Sequence, residues 1–305
     1  MLLARPLISL CAVLLAASCA SFELEEAFTL IEPLDLEGPV SLEVSAELGS
    51  ISVAVDPSLA GIEVRGLARL EGRDEERVRA RFEQLGASIH RGGGRLVIEP
   101  TFEGGRRESE RVNLAVTVPS LADVQLKTGH GALAISGAVG RVEADSGGGS
   151  IELLHCHGGA QLSTGDGAIR VEGGVGEVRG TTGNGDVTVS GHGGGLELET
   201  SNGDVAVSVP EGSTGVVRLQ SGNGRIVLSV DRSWSGVVEA SATNGQVRFI
   251  SADGLREKGP AAILALGEGG TRSVLRTRNG PIEVAVRSRA PSPPLDPAAP
   301  GGPRR

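Results

Sequence analysis

A glycine set in the same small vocabulary returns every 18 residues through the middle of this chain, at Gly131, Gly149, Gly167, Gly185 and Gly203. It returns after 21 residues at Gly224 and again at Gly245, and after 35 at Gly280. A fixed period of this length marks a repeat architecture, in which each unit hides its apolar face only by stacking on the next. Most of the sequence therefore specifies a shape.

The columns around the marker glycine give the unit. Three residues before it stand Thr128, Ser146, Thr164, Thr182, Thr200, Ser221, Ala242 and Thr277. One residue before it stand His130, Gly148 and Asp166, then Asn184, Asn202, Asn223, Asn244 and Asn279. Two and four residues after it the side chains are aliphatic or Phe249, as in Val187 and Val189, Val205 and Val207, or Ile226 and Leu228. Polar or small residues lie between them. Alternation with period two is the pattern of a half-buried strand, so each marker glycine opens one. A weaker alternating pair sits seven and five residues upstream, from Val124 and Leu126 to Val217 and Leu219. One unit is strand, glycine-rich turn, strand, turn.

Asn-Gly and Asp-Gly between alternating runs are also hairpin signals, so a meander is one way to use this unit. The constancy of the period favours the other way, an all-β, single-stranded β-solenoid of about 18–21-residue coils. Like residues then stack about 4.8 Å apart. The asparagines from Asn184 to Asn279 suit such a ladder, their amides bonding to one another and to turn backbone at a corner prone to left-handed φ. The chain has no Tyr, one Trp and five Phe, although 39% of it is hydrophobic. A narrow core filled by Val, Leu, Ile and Ala accounts for that. The 47 glycines are expected at turns that need positive φ.

Residues 1–18 read as a signal peptide, with Arg5 before the apolar run Leu7–Ala17. That run is too short to span a bilayer. Leu15-Ala16-Ala17-Ser18-Cys19 resembles a bacterial lipobox, which implies that Cys19 becomes the acylated N-terminus, anchoring the chain to a membrane. Ala20 is not the Asp that marks inner-membrane retention, which points to the outer membrane. Residues 19–37 read as an acidic tether, and 38–288 as the solenoid domain. Val40–Val55 already carries the repeat around Gly49. Residues 74–87 break it with Val78, Phe82 and Leu85 at helical spacing, an amphipathic helix expected to cap the terminal coil. The Pro-rich tail, 289–305, is expected to be disordered.

Chemistry is sparse. No catalytic, cofactor-binding or metal-binding residue stands out. Asp166, Asp186 and Asp204 lie near turns at differing offsets and read as turn residues. The calcium nonapeptide needs Asp where this repeat has Val, Ile or Leu. His155-Cys156-His157 places two imidazoles on one face, short of the ligands zinc needs, and His130 and His192 fall at other offsets. Cys156 is the one cysteine beyond the leader and Cys19, so the stack is expected to be stabilised without an internal disulfide. The formal net charge is −9, one more negative once Arg5 leaves with the leader. With that balance and few aromatic rings, no nucleic-acid partner is expected.

The run Val116-Thr117-Val118-Pro119-Ser120, then Val124 to Gly131, then coil after coil of Thr-Gly-Asn-Gly-Asp-Val, resembles the bacterial "putative adhesin" family of unknown function, cell-envelope proteins with a β-helical repeat. The resemblance covers about residues 38–288 and implies a right-handed coil. It supplies no catalytic residues. Together these readings describe a non-catalytic, lipid-anchored envelope surface for binding or scaffolding, with an envelope protein or surface polysaccharide as partner. The alternatives from other classes are a carbohydrate-active enzyme on a short β-helix and an envelope-stress sensory module.

Overall fold

The computed structural model describes residues 22–33, 38–72, 74–83, 85–92, 95–102, 110–251, 254–267 and 270–287. The signal peptide, Cys19 and the tail lie outside the described residues. Every coil contributes one strand to each of two long sheets, which have 13 and 12 strands among the described residues. The strand before the marker glycine enters one sheet and the strand after it enters the other. Val178–Asn184 pairs in parallel with Ala160–Thr164 and with Leu196–Asn202. Val187–Ser190 does the same with Ile169–Glu172 and Val205–Ser208.

The register equals the repeat. Val187 is opposite Val205, Val205 opposite Ile226, and Ile226 opposite Ile282. All four side chains are buried, and the aliphatic faces of the two sheets meet in one continuous core. An 18-residue coil places identical offsets above one another, so the alternation repeats without a slip. A slip of one residue would turn every Val outward. The parallel stack excludes the hairpin meander.

The order of coils in space departs from their order in the chain. Beyond the Gly224 coil comes the Gly280 coil, and only then the Gly245 coil. Thr271–Asn279 lies between Val217–Asn223 and Gly236–Asn244, and Ile282–Arg287 lies between Ile226–Asp231 and Val247–Ser251. The 35-residue interval explains this. After the Gly245 coil the chain doubles back into Gly254–Gly259 and Ala261–Leu266, each antiparallel to the strand it covers. The last two strands then occupy the slot one rung inside. The N-terminal end is built alike. Val40–Leu48 and Ile51–Val55 stack directly on the Gly131 coil, and Arg95–Phe102 and Arg111–Val118 come later in the chain but lie further out. Antiparallel strands finish both sheets at both ends, which stops the parallel register from propagating.

Two expectations near the N-terminus change. Residues 22–33 are a strand within the expected tether: Phe22–Pro33 pairs antiparallel with Gly61–Gly72 along its whole length and buries Phe28 and Leu30. Its acidic residues obscured the alternation. The helix is Glu75–Phe82, capped by Asp74, whose side chain accepts from the backbone N–H groups of Glu76 and Arg77. It stops short because Leu85–Gly92 is a strand on Arg95–Phe102. The helix packs on Gly61–Gly72 and Phe22–Pro33, at the outer end of the stack where a cap belongs. Arg81 is buried there, bonded through Nε to Glu110 at 2.6 Å and lying 5.6 Å from the Phe102 ring. The carboxylate of Glu110 holds the guanidinium even more firmly charged than usual.

Candidate binding surface

The marker-glycine corner gathers three columns. The first is the glycine itself. A Cβ at Gly131, Gly149, Gly167 or Gly185 would lie 1.9–2.2 Å from the carbonyl oxygen of the glycine one coil below. The same holds at Gly203, Gly224, Gly245 and Gly280, the last two in their spatial order. Close stacking of backbone on backbone is thus what all eight positions share. Positive φ, the reason expected from sequence, applies to Gly203, Gly224 and Gly280 and not to the other five.

The second column is Thr or Ser. These hydroxyls are buried and each donates to the marker-glycine carbonyl one rung below. Thr182 reaches Gly167 at 2.8 Å, Thr200 reaches Gly185 at 2.9 Å, and Ser221 reaches Gly203 at 3.0 Å. Thr277 donates to Gly224, skipping 53 residues of chain, because its coil is the spatial neighbour. The hydroxyl satisfies a carbonyl that would otherwise be left in the core, which is why Thr and Ser recur there.

The third column is the asparagine ladder, exposed on the outer edge. Asn184 Nδ2 donates to Asp166 at 2.6 Å, Asn202 to Asn184 at 2.8 Å, and Asn223 to Asn202 at 2.7 Å. Asn279 then donates to Asn223 at 2.6 Å, and Asn244 to Asn279 at 2.8 Å. The amides point one way, so each bond polarises the next. The chain of donors ends on a carboxylate, the favourable charge at that pole. The ladder asparagines are in extended backbone, not in the left-handed region expected. Among the described residues the one non-glycine with positive φ is His155. Asp186 and Asp204 accept from the next rung's backbone, at Asp204 N and Arg225 N. They are corner residues, as their offsets imply.

Sequence reasoning missed the opposite corner. Ala138, Cys156, Gly174, His192, Ser213 and Trp234 form a column with the same 18- and 21-residue spacing. Every side chain in it, from Ala138 through Cys156, His192 and Ser213 to Trp234, is buried, and Gly174 supplies none. A Cβ on Gly174 would lie 2.0 Å from the Cys156 carbonyl oxygen. The imidazole of His192 sits on the next rung, its ring nitrogens 3.0 Å and 2.9 Å from the carbonyl oxygens of Gly173 and Gly176. Cys156 is a buried filler whose thiol pKa is pushed up by desolvation. His155 and His157 are exposed on either side of it, and among the described residues no group of three potential metal ligands occurs. The spacing of this column was legible; its residue types share no chemistry, which hid it.

Outward charges follow the rungs. Arg141 pairs with Glu143 at 2.9 Å, Arg170 with Glu152 and Glu172 at 3.6 and 3.2 Å, and Arg179 with Glu177 and Glu197 at 2.7 and 3.1 Å. Near the C-terminal end an open cleft of about 370 Å³ lies across the corner, lined by Asp204, Arg225, Arg248, Pro281 and Glu283 among others.

The family described as Toastrack DUF4097 matches residues 87–258, more than half of the chain. No curated protein matches it. Among solved structures it is similar to a "putative adhesin" from Bacteroides fragilis NCTC 9343, at 11% identity and a TM-score of 0.42, over 85% of this chain and 97% of that one. It is also similar to one from Parabacteroides distasonis ATCC 8503, at 10% identity and TM-score 0.32, over 85% and 97%. A third, from Parabacteroides merdae ATCC 43184, is 7% identical with TM-score 0.32, over 86% and 96%.

Proposed function

We propose that this chain, which belongs to the Toastrack DUF4097 family, is a non-catalytic envelope protein that offers its rigid stack as a binding or scaffolding surface. The observation carrying this reading is the corner itself. Its hydroxyls, amides and carboxylates are committed to holding rung on rung. The column spacing sets an exposed polar strip at a fixed pitch. A partner meeting it pays little ordering cost, because the strip is preorganised. In this reading the single-stranded coil winds right-handed, the hand nearly universal for parallel crossovers. The lipobox-like Leu15–Cys19 supports a lipid anchor at Cys19, placing the stack outside the cytoplasm, on the outer membrane where the cell has one. No described helix is long and apolar enough to cross a membrane.

Two measurements test this. Cys19→Ala should move the protein from the membrane fraction to the soluble fraction; retention in the membrane contradicts lipidation. The full chain should cosediment with purified envelopes of its host, and no cosedimentation contradicts the surface role.

A further inference from the structure

On the strand Thr271–Asn279, near the C-terminal end of the stack, Arg272 still pairs with Glu239, but the next two arginines of that strand do not join the ion-paired pattern. Arg276 and Arg278 are exposed on one strand, Thr271–Asn279, with their side chains about 7 Å apart along it. Their neighbours on adjacent strands carry no charge. Arg276 stands between Gln220 and Ser241, and the register puts Arg278 between Gly222 and Thr243. Across the corner, exposed Arg248 and Arg225 flank the cleft. Arg225 is 3.8 Å from Asp204, a loose pair. Arg248, Arg276 and Arg278 have no hydrogen bond or ion pair among the described residues. The exposed amides of Asn223, Asn279 and Asn244 run between the two groups. Glu283 stands opposite Arg248 in the register, so the uncompensated guanidinium in this chain of net charge −9 is concentrated in Arg276 and Arg278.

We propose that this end of the corner binds a linear polysaccharide bearing carboxylates, such as a polymer of uronic acids. This rests on the surface role proposed above and names its ligand class. Guanidinium forks match carboxylates two bonds at a time. Each ladder amide uses one N–H and at most one lone pair on its neighbours, which leaves its second N–H and a lone pair for sugar hydroxyls. The rungs repeat about every 4.8 Å, so the surface suits a ligand that also repeats. Neutral sugars are usually held by stacking on exposed aromatic rings. Here Phe28, Phe82, Trp234 and Phe249 are buried and Phe102 is partly buried. Recognition by charge is what remains. The same lack of exposed rings among the described side chains argues against single-stranded nucleic acid.

The test uses the full chain and fluorescein-labelled polygalacturonate, with dextran as the neutral polymer. Wild type should bind polygalacturonate at low salt, weaken as salt rises, and ignore dextran. Arg276→Ala with Arg278→Ala should weaken binding about tenfold or more. Arg141→Ala with Arg179→Ala, an equal charge change at ion-paired sites, should weaken it less than about twofold. The salt titration of wild type provides a readout that needs no variant. No binding at low salt, equal losses in the two double variants, or tighter binding of DNA or of anionic phospholipid vesicles than of polygalacturonate would each overturn the proposal. Wild type that cosediments with envelopes but ignores polygalacturonate refutes this ligand and leaves the surface role standing. Wild type that does not cosediment with envelopes refutes the role itself.

Discussion

Substituting Gly185→Ala probes the stacking distance in the middle of the ladder. The added Cβ would lie 2.2 Å from the Gly167 carbonyl oxygen and 2.6 Å from its carbon. A carbon and a carbonyl oxygen need about 3.3 Å, so the two rungs must part by about 1 Å. Three of the bonds that cross that step lie just before the glycine and are strained most: Thr182 to Gly167 at 2.8 Å, Asn184 Nδ2 to Asp166 at 2.6 Å, and Asn184 N to Gly165 at 2.9 Å. At about 1 kcal/mol each they amount to about 3 kcal/mol. Overpacking adds about 1–3 kcal/mol. Alanine stiffens the unfolded chain and returns about 0.4–1 kcal/mol. The net loss is about 3–5 kcal/mol, or a melting temperature lower by roughly 6–20 °C. Gly159→Ala is the comparison, because the nearest atom to its Cβ is the Glu177 carbonyl oxygen at 3.7 Å, an ordinary contact. That variant should be neutral or stabilised by up to about 1 kcal/mol. Thermal and denaturant unfolding of both variants decides the matter. If Gly185→Ala proves as silent as Gly159→Ala, the coils are not stacked at this distance.

Three further outcomes follow from the same geometry. Asn202→Ala removes two exposed ladder bonds and should cost about 1 kcal/mol, lowering the melting temperature by about 2–4 °C; no shift would mean the amides contribute nothing. Glu110→Ala removes the buried carboxylate that faces Arg81 and should cost about 3–5 kcal/mol, seen as faster amide exchange in Gly61–Gly72 while the Gly167–Gly203 coils stay protected; uniform exchange would refute a local cap. The buried Cys156 thiol should resist maleimide until the chain unfolds. Its pKa is higher folded than unfolded, so the folded chain holds more protons and stability should fall as pH rises above about 8.5; rapid labelling of native protein, or no fall, contradicts this burial.

The repeated coil was legible because one physical requirement recurs at one spacing. A rung cannot stack closely with a Cβ at Gly167 or Gly185, and cannot leave its carbonyl unpaired beside Thr182 or Thr200. Those constraints fix residue types, and residue types are what a sequence displays. Positive φ accounts for Gly203, Gly224 and Gly280 and for other turn glycines such as Gly173 and Gly191, but not for the other five markers; a turn needing positive φ and a backbone needing closeness select the same residue. The ends were harder to read. Nothing local in Thr271–Asn279 tells that it slips inside the Gly245 coil; that follows from two antiparallel strands already occupying the edge. Phe22–Pro33 was hidden because an antiparallel outer strand need not share the repeat's vocabulary. The arginine patch escaped notice because its meaning lies in what stands beside each arginine across strands, a relation the linear order conceals.

Disulfide trapping of the coil order tests the stacked-rung account most directly. In a background without the native cysteines, Gln220→Cys and Arg276→Cys occupy directly paired positions on neighbouring strands. They should cross-link under mild oxidation, since strands about 4.8 Å apart fall within disulfide reach. Gln220→Cys with Ser241→Cys spans two strand spacings, about 10 Å, and should stay reduced. Efficient cross-linking of the second pair and none of the first would contradict the account.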